Sequence, residues 1–208
     1  MAVILVVFGD VNLALALNGK AAGVLSAIVT IYTDSIYFIV GFIAILALIS
    51  MFSKKLGKYR RLLLASWLSY VFSAITITSL KIIINRSRPF VQMPSQINTF
   101  GHHPSDPSFP SGHSGSSAAV LTPLALKSNS KILSAIYILI HIGMMYTRLY
   151  LGVHWFSDVL VGSIIGVLIA YFSLYLLERG YEKNIITQKV EWAIVLICLV
   201  VTIALLFV

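Results

Sequence analysis

The segment TRLYLGVHWFSDVLVGSIIGVLIAYFSLYLL, residues 147–177, sets three ionisable side chains against one long apolar run. Arg148, His154 and Asp158 lie at the start of a segment that is long enough to cross the ~30 Å of bilayer hydrocarbon as a helix. Ionisable groups at such an edge are energetically costly, and they are retained where they face a bundle interior or a wet cavity. The segment therefore predicts a membrane helix with a functional site at its start.

The rest of the chain is similarly apolar. Its 208 residues are 59% hydrophobic and only 11% charged, with a mean hydropathy of +0.94. A water-soluble domain of this size could not bury that much apolar surface in one core. Backbone amides cannot stay unpaired in lipid, so the spanning segments must be helices. We expect a single all-α integral membrane domain over residues 1–208, a bundle of six transmembrane helices at residues 34–52, 62–84, 112–126, 132–147, 155–177 and 190–208.

Two segments outside these spans have distinct expectations. Residues 1–33 predict an N-terminal interfacial helical segment, in which residues 11–17 and 21–32 lie on the membrane surface on either side of Asn18-Gly19. Residues 85–110 contain five prolines together with Asn, Ser and Gly. This composition predicts a non-helical extracytoplasmic lid loop across the outer mouth of the bundle.

The basic residues orient the bundle. Ten of the fifteen Lys and Arg residues fall on one side of six spans, and that side should be cytoplasmic. The other side keeps Lys20, Lys81, Arg86, Arg88 and Arg148. We therefore expect a multi-pass protein of the cell membrane with an outward-facing active site. Topology and this site account for the net charge of +8, so no nucleic-acid partner is expected, and the sequence assigns no oligomeric state.

Three separated sequence blocks fall on the outer side because each span reverses direction in an antiparallel bundle. The first block ends the second span and the second block begins the third span. The last block joins the fourth span to the fifth. The blocks are Lys81-x6-Arg88-Pro89, Pro110-Ser111-Gly112-His113 and Thr147-Arg148-x5-His154-x3-Asp158.

These blocks supply the parts of an anion site. Lys81, Arg88 and Arg148 are three cations, and the two guanidinium groups suit bidentate contact with phosphate oxygens. Ser111 and Gly112 begin a helix, where free backbone N–H groups and the helix dipole also favour an anion. The alternative for each basic residue alone is snorkelling to the interface. Convergence of three cations at one depth favours the phosphate site.

The histidines suggest covalent catalysis. His154 and Asp158 are four residues apart and would be neighbours on one helical face. A carboxylate that accepts the proton-bearing ring nitrogen fixes the tautomer, which leaves the other nitrogen free to attack phosphorus. His113, on another helix, could protonate the departing oxygen and later deprotonate the hydrolytic water. The alternative is that His154 and Asp158 only satisfy each other at the membrane edge.

The three blocks together resemble the signature of the type 2 phosphatidic acid phosphatase family, which shares its site with vanadium haloperoxidases. The spacing within each block matches, although Thr147 replaces the usual Ser and keeps the hydroxyl. The resemblance implies metal-independent removal of phosphate through a phosphohistidine on His154, assisted by Asp158. It implies phosphate binding by the residues Lys81, Arg88, Ser111, Gly112, His113 and Arg148.

A site at the membrane edge favours an amphiphile whose phosphate sits at head-group depth while its tails stay in lipid. We expect a lipid phosphatase without a metal or other cofactor, with a membrane lipid phosphate and the bilayer as its partners. The resemblance offers polyprenyl diphosphates, phosphatidylglycerol phosphate, phosphatidic acid and lipid A precursors as substrates. The compact chain and the expected outward-facing site favour a polyprenyl (undecaprenyl or dolichyl) diphosphate phosphatase, with phosphatidic acid or phosphatidylglycerol phosphate as the main alternatives. A vanadium haloperoxidase and a non-catalytic transporter are remote alternatives.

Other polar residues have simpler interpretations. Adjacent histidines point apart in most backbone conformations, so His102-His103 does not indicate a metal site. His141 lies in mid-span, where we expect a structural hydrogen bond to a neighbouring Ser, Thr or Tyr. For Arg86 we expect solvent exposure rather than a substrate contact.

Overall fold

The computed structural model describes residues 2–205, with the side chains of residues 9–205. All secondary structure in this part of the chain is helical, which confirms the all-α prediction. The helices in chain order are α1 (Ala2–Leu17), α2 (Val24–Phe52), α3 (Lys54–Gly57), α4 (Arg60–Ile84), α5 (Pro89–Gln92), α6 (Gly112–Lys127), α7 (Lys131–Tyr150), α8 (Phe156–Glu182) and α9 (Gln188–Ala204).

Four helices of the described part are long and apolar enough to cross a membrane, namely α2, α4, α7 and α8. They correspond to the first, second, fourth and fifth predicted spans. Helices α6 and α9 occupy the positions of the third and sixth predicted spans but contain 16 and 17 residues. Residues 206–208 of the sixth predicted span lie outside the described residues. The chain is thus a multi-pass membrane protein, with four candidate spans within residues 2–205.

The predicted start of the first span at residue 34 is wrong. Helix α2 begins at Val24, so residues 24–33 are its first turns and not part of a separate surface segment. The helix continues without a break through Asp34, an exposed residue at the wall of a cavity. The predicted break at Asn18-Gly19 agrees with the end of α1 at Leu17.

The predicted lid loop, residues 85–110, is non-helical except for the single turn of α5. Helix α4 ends at Asn85, whose left-handed conformation (φ 45°) turns the chain while its N–H donates to the Lys81 carbonyl. Pro89 stands at the start of α5, where a missing N–H costs nothing. The loop therefore leaves the end of α4 in a defined direction, with Arg86 and Arg88 just beyond it.

Helix α6 lies at the centre of the bundle and packs against α4, α7 and α8. Small residues allow its close approach to α8, as expected between membrane helices. A Cβ on Gly166 would lie 2.7 Å from the Ala118 side chain, and a Cβ on Gly162 would lie 2.5 Å from the Ser111 carbonyl oxygen. This approach sets the start of α6 beside the start of α8.

Helix α1 lies over the same end of the bundle. Ala14 packs with Ile97 of the lid loop and with Trp155. The Asn18 side chain donates to the carbonyl oxygens of Asn98 and Tyr150, at 2.8 and 3.0 Å. Helix α1 is therefore attached both to the lid loop and to the end of α7.

Candidate active site

A cavity of about 820 Å³ opens between the helix ends described above. Six of the eight predicted site residues line it, although they come from α4, the lid loop, α6, α7 and the segment before α8. The fold thus brings together residues that are up to 73 positions apart, from Lys81 to His154. The six lining residues are Lys81, Arg88, Gly112, His113, Arg148 and His154.

The other two predicted residues, Ser111 and Asp158, are fully buried behind the cavity wall. The Ser111 N–H donates to the Asp158 carbonyl oxygen at 2.9 Å, and the Ser111 hydroxyl caps α6 by accepting from the Ser114 N–H. The expectation that the Ser111 N–H is free to bind an anion is therefore wrong. Gly112 is the first residue of α6, so its amide is among those that a helix leaves without an internal partner.

Arg148 supplies a buried guanidinium at the cavity. It is 6% exposed, and its Nη1 donates to Thr33 Oγ1 at 2.8 Å. The Thr147 hydroxyl donates to the same Thr33 oxygen at 3.0 Å. Arg148 Nε is buried and has no hydrogen-bond partner among the described residues. A buried unpaired donor of a cation is unfavourable, and an anion in the cavity would satisfy it.

Asp106 of the lid loop joins two predicted phosphate ligands, an arrangement that we call the Asp106 bridge (Lys81, Arg88 and Asp106). Asp106 Oδ2 accepts from Lys81 Nζ at 2.7 Å, and Oδ1 accepts from Arg88 Nη2 at 2.8 Å. The Asp106 side chain is 52% exposed. Asp106 is not among the residues predicted from the sequence, and its carboxylate occupies donors of two predicted phosphate ligands.

The charges of the Asp106 bridge shift the pKa values of the loop residues. Partial burial alone would raise the pKa of Asp106, but the hydrogen bonds and charges of Lys81 and Arg88 outweigh it and lower that pKa. Burial lowers the pKa of Arg88, and the nearby Asp106 carboxylate opposes this shift. Because an arginine starts from so high a pKa, Arg88 stays a cation and Asp106 an anion near neutral pH.

His154 is held against Arg88 in the loop before α8. Its Nε2 lies 3.2 Å from Arg88 Nη1, and a guanidinium can only donate. Nε2 must therefore be unprotonated in this contact, which places the ring proton on Nδ1 of the neutral imidazole. Burial and then the cations Arg88, Arg148 and Lys81 lower the pKa of His154 well below its ordinary value. The residue is thus a neutral imidazole with the lone pair of Nε2 at the cavity.

Asp158 lies on the other side of the imidazole. Its Oδ2 is 3.4 Å from His154 Nδ1, a distance at which the two groups face each other without a formed hydrogen bond. The predicted placement of both residues on one helical face is wrong because α8 begins at Phe156 and His154 precedes it. Asp158 Oδ2 instead accepts the Trp155 N–H at 2.9 Å, a cap that fixes the chain next to His154.

Asp158 also belongs to a buried charged group, the Asp158 network (Asp10, Arg86, Ser157 and Asp158). Arg86 donates through Nη1 to Asp158 Oδ1 at 2.6 Å and through Nη2 to Asp10 Oδ2 at 2.8 Å. Arg86 is therefore not simply solvent-exposed, as the sequence suggested, because it bridges two carboxylates of 0% and 3% exposure. Asp10 is likewise not among the residues predicted from the sequence.

The remaining histidines take different positions. His113 lines the cavity, stacks edge-on against Tyr37 and has a buried Nε2 without a partner among the described residues. His141 Nδ1 lies 2.8 Å from the Ser117 hydroxyl, which confirms the expected structural hydrogen bond. His102 lines the cavity, whereas His103 packs against Phe90. Among the described residues, no three His, Cys, Asp or Glu side chains are grouped as a metal site would require.

Fold and site together define a helical membrane protein with a buried cationic cavity and a neutral histidine at its wall. The chain belongs to the PAP2 superfamily, whose model matches residues 59–182. This match confirms the resemblance seen in the three sequence blocks. Helices α1, α2, α3 and α9 lie outside the matched region.

Two solved structures are similar over most of the chain. The first is a transmembrane PAP2-type phosphatidylglycerolphosphate phosphatase from Bacillus subtilis, with a TM-score of 0.67 and 26% identity over 85% of this chain and 86% of that one. The second is LpxE from Aquifex aeolicus, with a TM-score of 0.61 and 27% identity over 80% of this chain and 94% of that one.

Two curated proteins align over shorter regions. Phosphatidylglycerophosphatase B of Bacillus subtilis is 35% identical over 92 residues, which cover 40% of this chain and 43% of that protein. Undecaprenyl-diphosphatase of Sulfolobus acidocaldarius is 29% identical over 118 residues, which cover 57% of this chain and 56% of that protein. The chain therefore spans about half the length of the curated relatives that it matches.

Proposed function

We propose that this protein is a metal-independent phosphatase that removes phosphate from membrane lipids through a phosphohistidine intermediate on His154. The observation that carries the proposal is the contact between His154 Nε2 and Arg88 Nη1 at 3.2 Å. It leaves an unprotonated ring nitrogen at the wall of a cavity lined by three cations, where the phosphorus of a substrate would be bound.

In the first step the lone pair of His154 Nε2 attacks phosphorus, and the bond between phosphorus and the lipid oxygen breaks. The lipid oxygen takes a proton from His113, which acts as the general acid and enters the step as the imidazolium that the negative charge of the bound phosphate favours. Negative charge develops on the equatorial phosphoryl oxygens in the transition state. Lys81, Arg88 and Arg148 stabilise that charge because they are fixed in place before the reaction.

In the second step His113, now neutral, accepts a proton from a water molecule whose oxygen attacks the phosphohistidine. The bond between phosphorus and Nε2 breaks, and inorganic phosphate leaves while His154 recovers its lone pair. Asp158 faces the Nδ1–H of His154 in both steps, so it favours the tautomer that keeps Nε2 free. Buried Ser111 contributes by capping α6, while Gly112 presents its amide to the phosphate.

The proposal includes a membrane topology. Helices α6 and α9 join the four longer helices as transmembrane segments, which makes six spans and places the cavity on the extracytoplasmic side of the cell membrane. The distribution of Lys and Arg supports this orientation, since ten of fifteen fall on the opposite side. Modification of a cysteine introduced at Ser105 by an impermeant reagent in intact cells would test it, with a cysteine at Lys55 as the inner control.

A lipid diphosphate is the substrate that we favour, specifically a polyprenyl diphosphate, with phosphatidylglycerol phosphate and phosphatidic acid as alternatives. The cavity joins the cationic end to apolar side chains such as Ile36, Val40 and Leu205, which suits a phosphate with a hydrocarbon tail. The relatives named above include both an undecaprenyl-diphosphatase and a phosphatidylglycerophosphatase.

A panel of lipid phosphates tests the function. Purified protein in detergent with EDTA is given polyprenyl diphosphate, phosphatidylglycerol phosphate or phosphatidic acid, and inorganic phosphate is measured. We expect phosphate release that EDTA does not reduce, fastest with the diphosphate, and competitive inhibition by vanadate. Absence of release from every substrate would refute the proposal, and restoration of activity only by an added divalent metal would refute its metal-independent form.

A further inference from the structure

The Asp158 network connects helix α1 to the proposed nucleophile. Asp10 of α1 is 3% exposed, and both of its oxygens accept hydrogen bonds from α8 or from Arg86. Its Oδ1 accepts the Ser157 N–H at 2.8 Å, and its Oδ2 accepts from the Ser157 hydroxyl. Asp10 thus fixes the first turn of α8, two residues away from the Trp155 N–H that Asp158 caps.

Arg86 carries the connection further. Its two terminal nitrogens are divided between the two carboxylates, with Nη2 on Asp10 and Nη1 on Asp158, and its guanidinium lies 5.2 Å from the centre of the Trp155 ring. A guanidinium donates in fixed directions, so Asp10 determines how Nη1 is presented to Asp158. Asp158 Oδ1 is held by that contact, and Oδ2 is left facing Trp155 N–H and His154 Nδ1.

We propose that Asp10 and Arg86 are positioning residues for the phosphoryl transfer, which act through Asp158 to hold His154 Nε2 toward the cavity. This inference rests on the proposed function. Neither residue lines the cavity that holds His154, although Arg86 lines a second, smaller cavity together with Arg88 and Asp106. Asp10 also lies outside the region that matches the PAP2 superfamily model, which means that a helix beyond that region completes this site.

Two alternatives have different consequences. If Asp10 only attached α1 to the bundle, its loss would weaken the fold and reduce every activity together. If Asp10 positions the nucleophile, its loss lowers the rate of the chemical step but leaves phosphate binding intact, because Lys81, Arg88 and Arg148 have other partners. A comparison of the change in kcat with the change in phosphate binding therefore distinguishes a positioning role of Asp10 from a purely structural one.

The test compares Asp10→Asn with a matched variant at the opposite end of the bundle. Glu191 is 6% exposed and, like Asp10, accepts from an arginine and a hydroxyl, with Arg60 Nη1 at 3.1 Å and the Tyr181 hydroxyl at 2.7 Å. Glu191→Gln therefore removes an equivalent buried charge without touching the site. Each purified protein is assayed in detergent for kcat, KM, inhibition by inorganic phosphate and thermal unfolding.

We expect Asp10→Asn to lower kcat by about tenfold or more, the effect of one misplaced charge-assisted contact, with KM and the phosphate inhibition constant within about twofold. Glu191→Gln should lower the unfolding temperature but keep kcat. Equal kcat in wild type and Asp10→Asn, or parallel losses in binding and turnover, would overturn the positioning role. Absence of turnover in wild type would instead overturn the proposed function, and the positioning role with it.

Arg86→Lys provides the same test if Asp10→Asn does not fold. Lysine keeps the positive charge between the two carboxylates but has no fork to contact both at fixed angles. We expect a reduced kcat at an unchanged phosphate inhibition constant, and a larger reduction in Arg86→Gln. Wild-type kcat in Arg86→Lys together with wild-type kcat in Arg86→Gln would exclude the positioning role.

Discussion

Three aspartates contact arginines at the active-site end of the bundle, and two of them, Asp158 and Asp106, have sharply different surroundings. Asp158 is fully buried, whereas the Asp106 side chain is 52% exposed. Asp158 is held by Arg86 and by the cap to Trp155, both of which belong to the protein interior. The partners of Asp106, Lys81 and Arg88, line the cavity and are the groups that a phosphate would contact.

This difference indicates opposite roles for two similar ion pairs. A buried carboxylate with well-placed donors is costly to disturb, so the Asp158 network is a permanent part of the site. A half-exposed carboxylate is screened by solvent and can be replaced by a better anion. We infer that Asp158 supports catalysis, while Asp106 competes with the phosphate. The variants described next separate these roles.

The largest effect is expected for His154→Ala. This substitution removes the proposed nucleophile, which lies between the Asp158 network and the Asp106 bridge. Turnover should fall by a factor on the order of 10⁴ or more, since no other imidazole has a lone pair held at Arg88. Phosphate release from the best lipid substrate is the measurement, with Glu191→Gln as a control for purification and folding. Substantial residual turnover would contradict the phosphohistidine.

Asp158→Asn should have the next largest effect. The amide keeps the size of the side chain but loses the charge that favours a proton on His154 Nδ1, so we expect kcat to fall by about 10² to 10⁴. The loss should be less complete than in His154→Ala because the nucleophile remains. A loss as large as that of His154→Ala, together with a lower unfolding temperature, would assign Asp158 to folding alone.

The sequence predicted the residues that line the cavity but not the acidic residues that contact them. Six predicted residues meet at one cavity because they follow the ends of antiparallel helices, and apolar periodicity and spacing determine where those ends are. The partners Asp10 and Asp106 escaped prediction because α1 and the lid loop reach the site through tertiary packing. A signal was present, however, since the chain has only seven acidic residues and four of them, Asp10, Asp34, Asp106 and Asp158, lie at this site.

The helix boundaries show a second limit. The first span was predicted to begin at residue 34, but α2 begins at Val24 and runs through the exposed Asp34 without a break. The spacing of His154 and Asp158 suggested one helical face. Asp158 instead caps the start of α8 at Trp155, so His154 precedes the helix.

The cations of the Asp106 bridge should also affect the pKa of His154. Burial and the charges of Arg88, Arg148 and Lys81 lower its pKa, so the imidazole should stay neutral well below pH 6.5 and gain its proton only in more acidic solution. Removal of the charge nearest Nε2, in Arg88→Gln, should move the pKa of His154 upward toward that value. Histidine ¹³C NMR in detergent measures this, with the signal assigned by its loss in His154→Gln.

The lowered pKa of His154 should also make the stability of the fold depend on pH. A histidine whose pKa is lowered by folding binds its proton more readily in the unfolded chain, so folding free energy is lost as the pH falls below about 6.5. Thermal unfolding between pH 5 and pH 7 should show a weaker pH dependence in His154→Gln than in wild type. A pKa of His154 at or above 6.5 in the wild type would contradict both expectations.

The smallest effect is expected for Asp106→Asn. The direction of the change in phosphate affinity distinguishes competition by Asp106 from orientation of the cations. Loss of the carboxylate frees Lys81 and Arg88 for phosphate, so KM and the inhibition constant of inorganic phosphate should fall by about three- to tenfold at nearly constant kcat. Asp34→Asn is the control because it removes the same charge from the cavity wall without a contact to either cation. Equal effects of the two variants would indicate general electrostatics, and weaker phosphate binding in Asp106→Asn would mean that Asp106 orients the cations rather than competing for them.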